Sequence, residues 1–194
     1  MSRLTDPFSR FPSFNELPPP SSSPSSKYHH VLLAQIKEDM TITKPTLIVT
    51  DRTGVDFALV FEDEGVSLKE RGFRKGCTIL VPNATRTERG AEGKKAIVRV
   101  PGGEMGDVEI IPGHLDRVLE LCIVLEATRG PCSDRCAACG KAGGKLMKCT
   151  GCGISAYCGK ECQVNGWTTM DHKSNCLQFG CMLAMNWEWV TCKP

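Results

Sequence analysis

The sequence is poor in aromatic residues, in net charge and in long apolar runs. Phe, Trp and Tyr make up 6% of its 194 residues, with three tryptophans and two tyrosines, so it has few flat surfaces on which successive bases could stack. Its formal net charge is +2, and no strong overall field draws it to nucleic acid or membrane. No stretch approaches the roughly eighteen consecutive apolar residues of a membrane span, and the start, Met1 to Pro7, has no signal-peptide apolar region. The end, Thr191-Cys192-Lys193-Pro194, is not a prenylation box, because its cysteine stands third from the end. Neither a phosphate-cradling glycine loop nor a nucleophile elbow occurs. Lone histidines (His114, and His29-His30) are read as structural or solvated rather than catalytic.

Cysteine is abundant, at twelve residues. Seven of these and one histidine form Cys136-x-x-Cys139, Cys149-x-x-Cys152, Cys158-x-x-x-Cys162 and His172-x-x-x-Cys176. Structural zinc takes four Cys or His donors, so eight ligands predict two Zn2+ ions. A segment this short buries too little apolar surface to fold alone, and the metal must supply roughly 10–16 kcal/mol per site. Gly140 and Gly153 follow their C-x-x-C pairs, the spacing of a zinc knuckle whose amides turn toward the sulfurs. Cys158/Cys162 and His172/Cys176 are each four apart, which on a helix places both ligands on one face. Thiolate ligands imply a reducing interior, so the protein is expected to be intracellular, in nucleus or cytoplasm.

Cys136 to Cys176 resembles the MYND-type zinc finger: two C-x-x-C pairs, the stretch Tyr157-Cys158-x-x-x-Cys162-Gln163, then Trp167 and His172-x-x-x-Cys176. A RING finger is a poorer match, lacking here its C-x-H-x-x-C core and final C-x-x-C. The resemblance implies a cross-brace in which Cys136, Cys139, Cys158 and Cys162 hold one zinc and Cys149, Cys152, His172 and Cys176 the other. The long gap from Cys162 to His172 should enlarge a loop without touching a ligand. It implies further that the module binds partner proteins carrying short proline/leucine motifs, with Thr150, Gln163 and Trp167 at peptide-contact positions. Tryptophan offers a flat apolar face to proline or leucine, and glutamine pairs both ways with an extended backbone.

Around this module the chain reads as five segments. Residues 1–27, with eight Ser and six Pro, are expected to form a disordered tail. Phe8, Phe11 and Phe14 recur within it and read as sporadic hydrophobicity rather than a docking strap. Residues 28–127 read as a β-barrel-like domain. Strands are expected at 31–36, 46–50, 56–61, 77–81, 96–100 and 108–111, with a hairpin turn at Asp51-Arg52-Thr53-Gly54. A closing helix presents Leu115, Val118, Leu119, Cys122 and Leu125 on one face. The hairpin and the Lys75-Gly76 to Asn83-Ala84 strand make this domain similar to OB-fold barrels. Residues 128–135 are a linker, 136–176 the zinc finger, and 177–194 an apolar tail expected to pack inside the molecule.

The fold class expected is thus α+β: a small β-barrel-like domain followed by a zinc-stabilised cross-brace. The function expected is an intracellular adaptor that serves as a co-regulator of transcription, and not an enzyme, since protein donors fill each zinc. Some relatives place such fingers inside SET-domain methyltransferases, but too few residues flank this one. The alternative is a single-strand nucleic-acid binder using the barrel. Over 28–127 there are 13 Lys and Arg against 16 Asp and Glu, a net of −3, which opposes that alternative.

Overall fold

The computed structural model of the protein describes residues 10–20, 30–63, 65–88, 90, 95–127 and 134–184, the side chains of 124–127 and 183–184 excepted. The chain forms two units, Met1–Arg117 and Val118–Pro194.

The first unit is built on β1 (Val31–Asp39), β2 (Thr46–Asp51), β3 (Asp56–Phe61), β4 (Thr78–Pro82), β5 (Arg86–Thr87), β6 (Ile97–Val100) and β7 (Glu109–Ile111). Burial alternates along β2 and β3, as expected of strands with one face on a core. β1 to β3 form an antiparallel meander. The β2–β3 turn is the expected one: Gly54 takes a φ of 83° and donates its N–H to Asp51 O at 3.0 Å, a conformation that favours glycine. β6 joins β3 in parallel. Leu32, Leu47, Leu59, Phe61, Ile79 and Val98 lie in the single core of this unit. Cys77 packs on this core.

The expectation of a barrel is corrected. The strands form one open sheet in the order β5-β6-β3-β2-β1-β4-β7. Two features block closure. The outer edge of β4 at Thr78–Leu80 is taken by β7. β4 ends at Pro82, and Asn83 beyond it turns the chain away with a φ of 49° while its N–H makes a last rung to His30 O at 3.0 Å. The OB-type resemblance therefore does not extend to a closed barrel. The sheet nevertheless curls strongly. β4 and β5 lie five places apart in the order, about 24 Å in a flat sheet. The three residues joining them reach no more than about 15 Å.

The second correction concerns the N-terminus. Residues 10–20 fall inside the segment expected to be a disordered tail, yet Phe11, Phe14 and Leu17 are buried, and Phe14 and Leu17 belong to the core. Phe14 opens a single 3-10 turn, Phe14–Glu16, that Phe11 and Leu17 flank and whose start is held by a capping box between Ser13 and Glu16. Phe8 lies outside the described residues. The two-residue β5 also lies between the strands expected at 77–81 and 96–100, where no strand was expected, and residues 89 and 91–94 of that connection lie outside the described residues.

Helix α1 (Leu115–Ala127) buries Leu115, Val118, Leu119 and Cys122, the face read from the periodicity. Its first amide, on Leu115, donates to Gln35 Oε1, while Gln35 Nε2 donates to Gly76 O. One buried-edge amide side chain thus satisfies an orphan donor of the helix start. No helix among the described residues is long and apolar enough to cross a membrane.

Candidate metal centre

The second unit contains a two-stranded ladder of β8 (Met147–Lys148) with β9 (Ala156–Tyr157), helix α2 (Lys160–Thr168) and helix α3 (His172–Ala184). Two knuckles present the first ligands. Gly140 donates to Cys136 O and Gly153 to Cys149 O, each at 2.8 Å. Both glycines have positive φ, 71° and 68°, so each chain reversal directs backbone amides inward. Cys136 N–H is tied to Lys141 O and Cys149 N–H to Ser155 O, which fixes the two loops.

The remaining ligands come from the helices. His172 and Cys176 sit one turn apart at the start of α3, as their spacing requires. Cys162 lies in α2, but Cys158 precedes that helix, which begins at Lys160. The expectation that both sit on one helical face is corrected: Cys158 reaches the site from the β9 side, with its sulfur 3.5 Å from that of Cys162. The gap from Cys162 to His172 is filled by α2 and a turn through Asp171, whose φ is 58°. Asp171 accepts a bond from Ser174 at the start of α3.

These elements bring the eight ligands into two groups. Cys136, Cys139, Cys158 and Cys162 form one; Cys149, Cys152, His172 and Cys176 form the other; within each group the donor atoms lie within 4.8 Å of one another. Sulfur–sulfur separations are 3.7 Å for Cys139–Cys158 and for Cys149–Cys176. Tetrahedral zinc with bonds of about 2.3 Å requires edges of about 3.8 Å, so the donors stand where that ion needs them. Cys152 Sγ and His172 Nε2 are likewise 3.7 Å apart. The chain interleaves the sites, as the cross-brace implies. Cys181 belongs to neither.

The electrostatics fit a divalent cation. Burial opposes charge on Cys136, but the amides of Cys139, Cys158 and Ala138 bring it down to about 6. Burial likewise opposes charge on Cys149, which His172 and the amides of Cys152 and Gly151 bring down to about 6. Cys162 is pushed up to about 12, chiefly by Cys158, and Cys176 to about 12 by burial and Cys149. Packed sulfurs cannot all ionise together, and zinc removes that conflict by binding every thiolate.

The sites differ in exposure. Cys139 and Cys158 of the first are exposed, whereas Cys149, Cys152 and His172 of the second are buried. His172 is ringed by aromatic neighbours: Tyr157 at 6.0 Å, Trp167 at 5.8 Å and Phe179 at 6.3 Å between centroids. With Nε2 toward the metal, Nδ1 donates to Ser155 Oγ at 3.2 Å, the outer contact that fixes a zinc-bound imidazole. Sequence reasoning passed over Ser155. Its place directly after the second knuckle was the available signal. Gly166 was also passed over: a Cβ there would stand 2.4 Å from the Tyr157 ring.

The peptide-contact candidates are all exposed. Gln163 and Trp167 lie one turn apart on α2, and Thr150 is carried separately in the second knuckle. Val164, at 54% exposure, adjoins Gln163 and lies one turn before Trp167 on the helix. The apolar tail is described only to Ala184, where it continues α3; its remainder lies outside the described residues.

Residues 136–176 match the family model of the MYND finger. The match covers about a fifth of the chain and begins and ends on zinc ligands. With both tetrahedra assembled, residues 136–176 are a zinc-binding MYND finger, a module of protein–protein interaction.

Proposed function

We propose that the protein is an adaptor whose MYND finger recruits partner proteins through short proline-containing peptides, with Thr150, Gln163 and Trp167 contacting the peptide. The observation that carries this reading is the surface of α2. Gln163, Val164 and Trp167 are exposed on adjoining turns, Gln163 next to the ligand Cys162 of the first site and Trp167 against His172 of the second. An indole 41% exposed is costly to leave in water and suits an apolar peptide side chain. Glutamine beside it supplies both a donor and an acceptor for extended backbone. The role is binding rather than catalysis, because each zinc has four protein donors and no open position for water. A reducing compartment, nucleus or cytoplasm, suits the thiolates.

The test is titration of the full-length protein with a synthetic Pro-x-Leu-x-Pro peptide, beside the Gln163→Ala/Trp167→Ala variant, with zinc content measured on both. Saturable binding by the parent and its loss in a variant still holding two zinc ions supports the reading. Equal binding by both proteins removes these residues from the contact surface.

A further inference from the structure

Residues 10–20 lie on the first unit as a bound peptide would. They join none of the seven strands. Their one regular element is the turn Phe14–Glu16, closed by its own Ser13–Glu16 bonds. Contact with the rest of the unit is made at separate points along the segment. Arg10 O accepts from Val31 N–H, Phe11 O from Arg52 Nε–H, and Pro18 O from Arg86 N–H, each at 2.9 Å. Phe14 N–H donates to Asp51 Oδ2 at 2.7 Å. Phe11, Phe14 and Leu17, three residues apart, are buried, while Asn15 and Glu16 between them are exposed.

One anchor of the acceptor side is fixed by bonds of its own. Asp51 Oδ1 already takes Thr53 N–H, Thr53 O–H and Val55 N–H, which close the β2–β3 turn and leave Oδ2 for Phe14. The Phe14 ring has two partners: Phe57 stacks on it at 4.3 Å and 13°, and the Arg86 guanidinium stands over it 5.1 Å from its centroid. Arg52 meets Glu16 at 2.9 Å and Arg86 meets Asn15 at 3.1 Å. Backbone bonds hold any extended peptide, whereas an aromatic–cation slot and a cation for an acidic side chain select among peptides.

We propose that this acceptor is a second peptide-binding site, separate from the zinc finger. It takes linear motifs of the form Phe-x-x-Phe-x-x-Leu with an acidic residue two places after the central phenylalanine. Residues 10–20 are its resident ligand, bound in cis. A partner protein carrying the same motif displaces them, and must do so against an intramolecular ligand whose effective concentration is of the order of millimolar.

The experiment uses the full-length protein with a specific protease site replacing Ser21–Ser26, cut under native conditions. A labelled synthetic peptide of residues 10–20 is then added at increasing concentration, and hydrogen exchange of β1 to β4 is followed in parallel. The expected result is that the cut segment leaves on dilution or exchanges with labelled peptide, while strand protection persists. The Phe14→Ala peptide is expected to bind about thirtyfold more weakly or worse. Two results overturn the proposal. One is a cut segment that neither leaves nor exchanges until strand protection collapses, which makes it an integral part of the core. The other is an emptied, still protected protein that fails to bind the peptide.

Discussion

The indole of Trp167 stands edge-on to the imidazole of His172, with centroids 5.8 Å apart and planes at 64°. One side chain therefore meets solvent on one side and a buried metal ligand on the other. Trp167→Ala is expected to keep two bound zinc ions at saturation but to speed release of one of them to a chelator. Gln163→Ala, with no such contact, is expected to leave both release phases unchanged. Chelator kinetics on the two single variants separate these effects; loss of zinc at saturation from Trp167→Ala would assign the indole to the metal site rather than to a peptide surface.

Ser155 holds the outer nitrogen of His172. Removing such a contact lowers metal affinity about 10–100-fold. Ser155→Ala is expected to show that loss at the second site alone, read by competition with a chelator of known affinity, while the four-cysteine site keeps its affinity.

Cys158 belongs to the exposed first site. Cys158→Ala leaves three sulfurs and forfeits most of the roughly 10–16 kcal/mol that a structural zinc supplies. The finger is expected to unfold while the first unit keeps its sheet. Metal content and the amide spectrum of each unit report this directly.

Gly166 is a helical glycine, and alanine in its place normally stabilises a helix by about 1 kcal/mol. Here the added methyl meets Tyr157, whose ring is 1% exposed and has nowhere to go. Overpacking costs about 1–3 kcal/mol, so the net expectation for Gly166→Ala is a loss. A lower melting temperature of the zinc-loaded protein would show it; a higher one would mean that the tyrosine moves freely.

Burial works against charge on Asp51, but the amides of Phe14, Val55 and Thr53 and the Thr53 hydroxyl outweigh it and hold its pKa below the ordinary 3.8. A depressed carboxyl contributes stability that is fully present above 3.8 and is lost as pH falls through its folded value. Exchange protection of the Phe14 amide is therefore expected to be flat from neutral pH to about 4 and to fall below it. Asp51→Asn is expected to cost roughly 2–3 kcal/mol at neutral pH, since bonds to a buried charged acceptor are the strong kind, and to flatten the acid response.

The zinc sites were legible in advance because spacing alone limits where a four-coordinate ion can find donors, and all eight ligands converge as read. The strands and the α1 face were legible for a similar reason: burial follows a local period. The burial of Phe11 and Phe14 was not, because their partners, Arg52 for Phe11 and Phe57, Asp51 and Arg86 for Phe14, lie far away in sequence, and a Ser/Pro-rich surround carries no period. Nor could sheet closure be read. It turns on the pairing of β7 with β4 and on a left-handed Asn83, both settled by tertiary contact. Ser155 resembles any loop serine until His172 arrives beside it.

The interleaving of the two ligand sets also sets an order of events. One metal closes a loop from Cys136 to Cys162 and the other a loop from Cys149 to Cys176, so each loop begins inside or ends inside the other and the stretch 149–162 belongs to both. Neither loop can be cut out as a smaller folding piece. During synthesis, the first metal cannot be fully held until Cys162 has emerged, nor the second until Cys176 has followed. The finger is thus expected to gain its metals late and in that order, and a chain stopped between those two cysteines would carry one closed loop and a loose pair of thiolates.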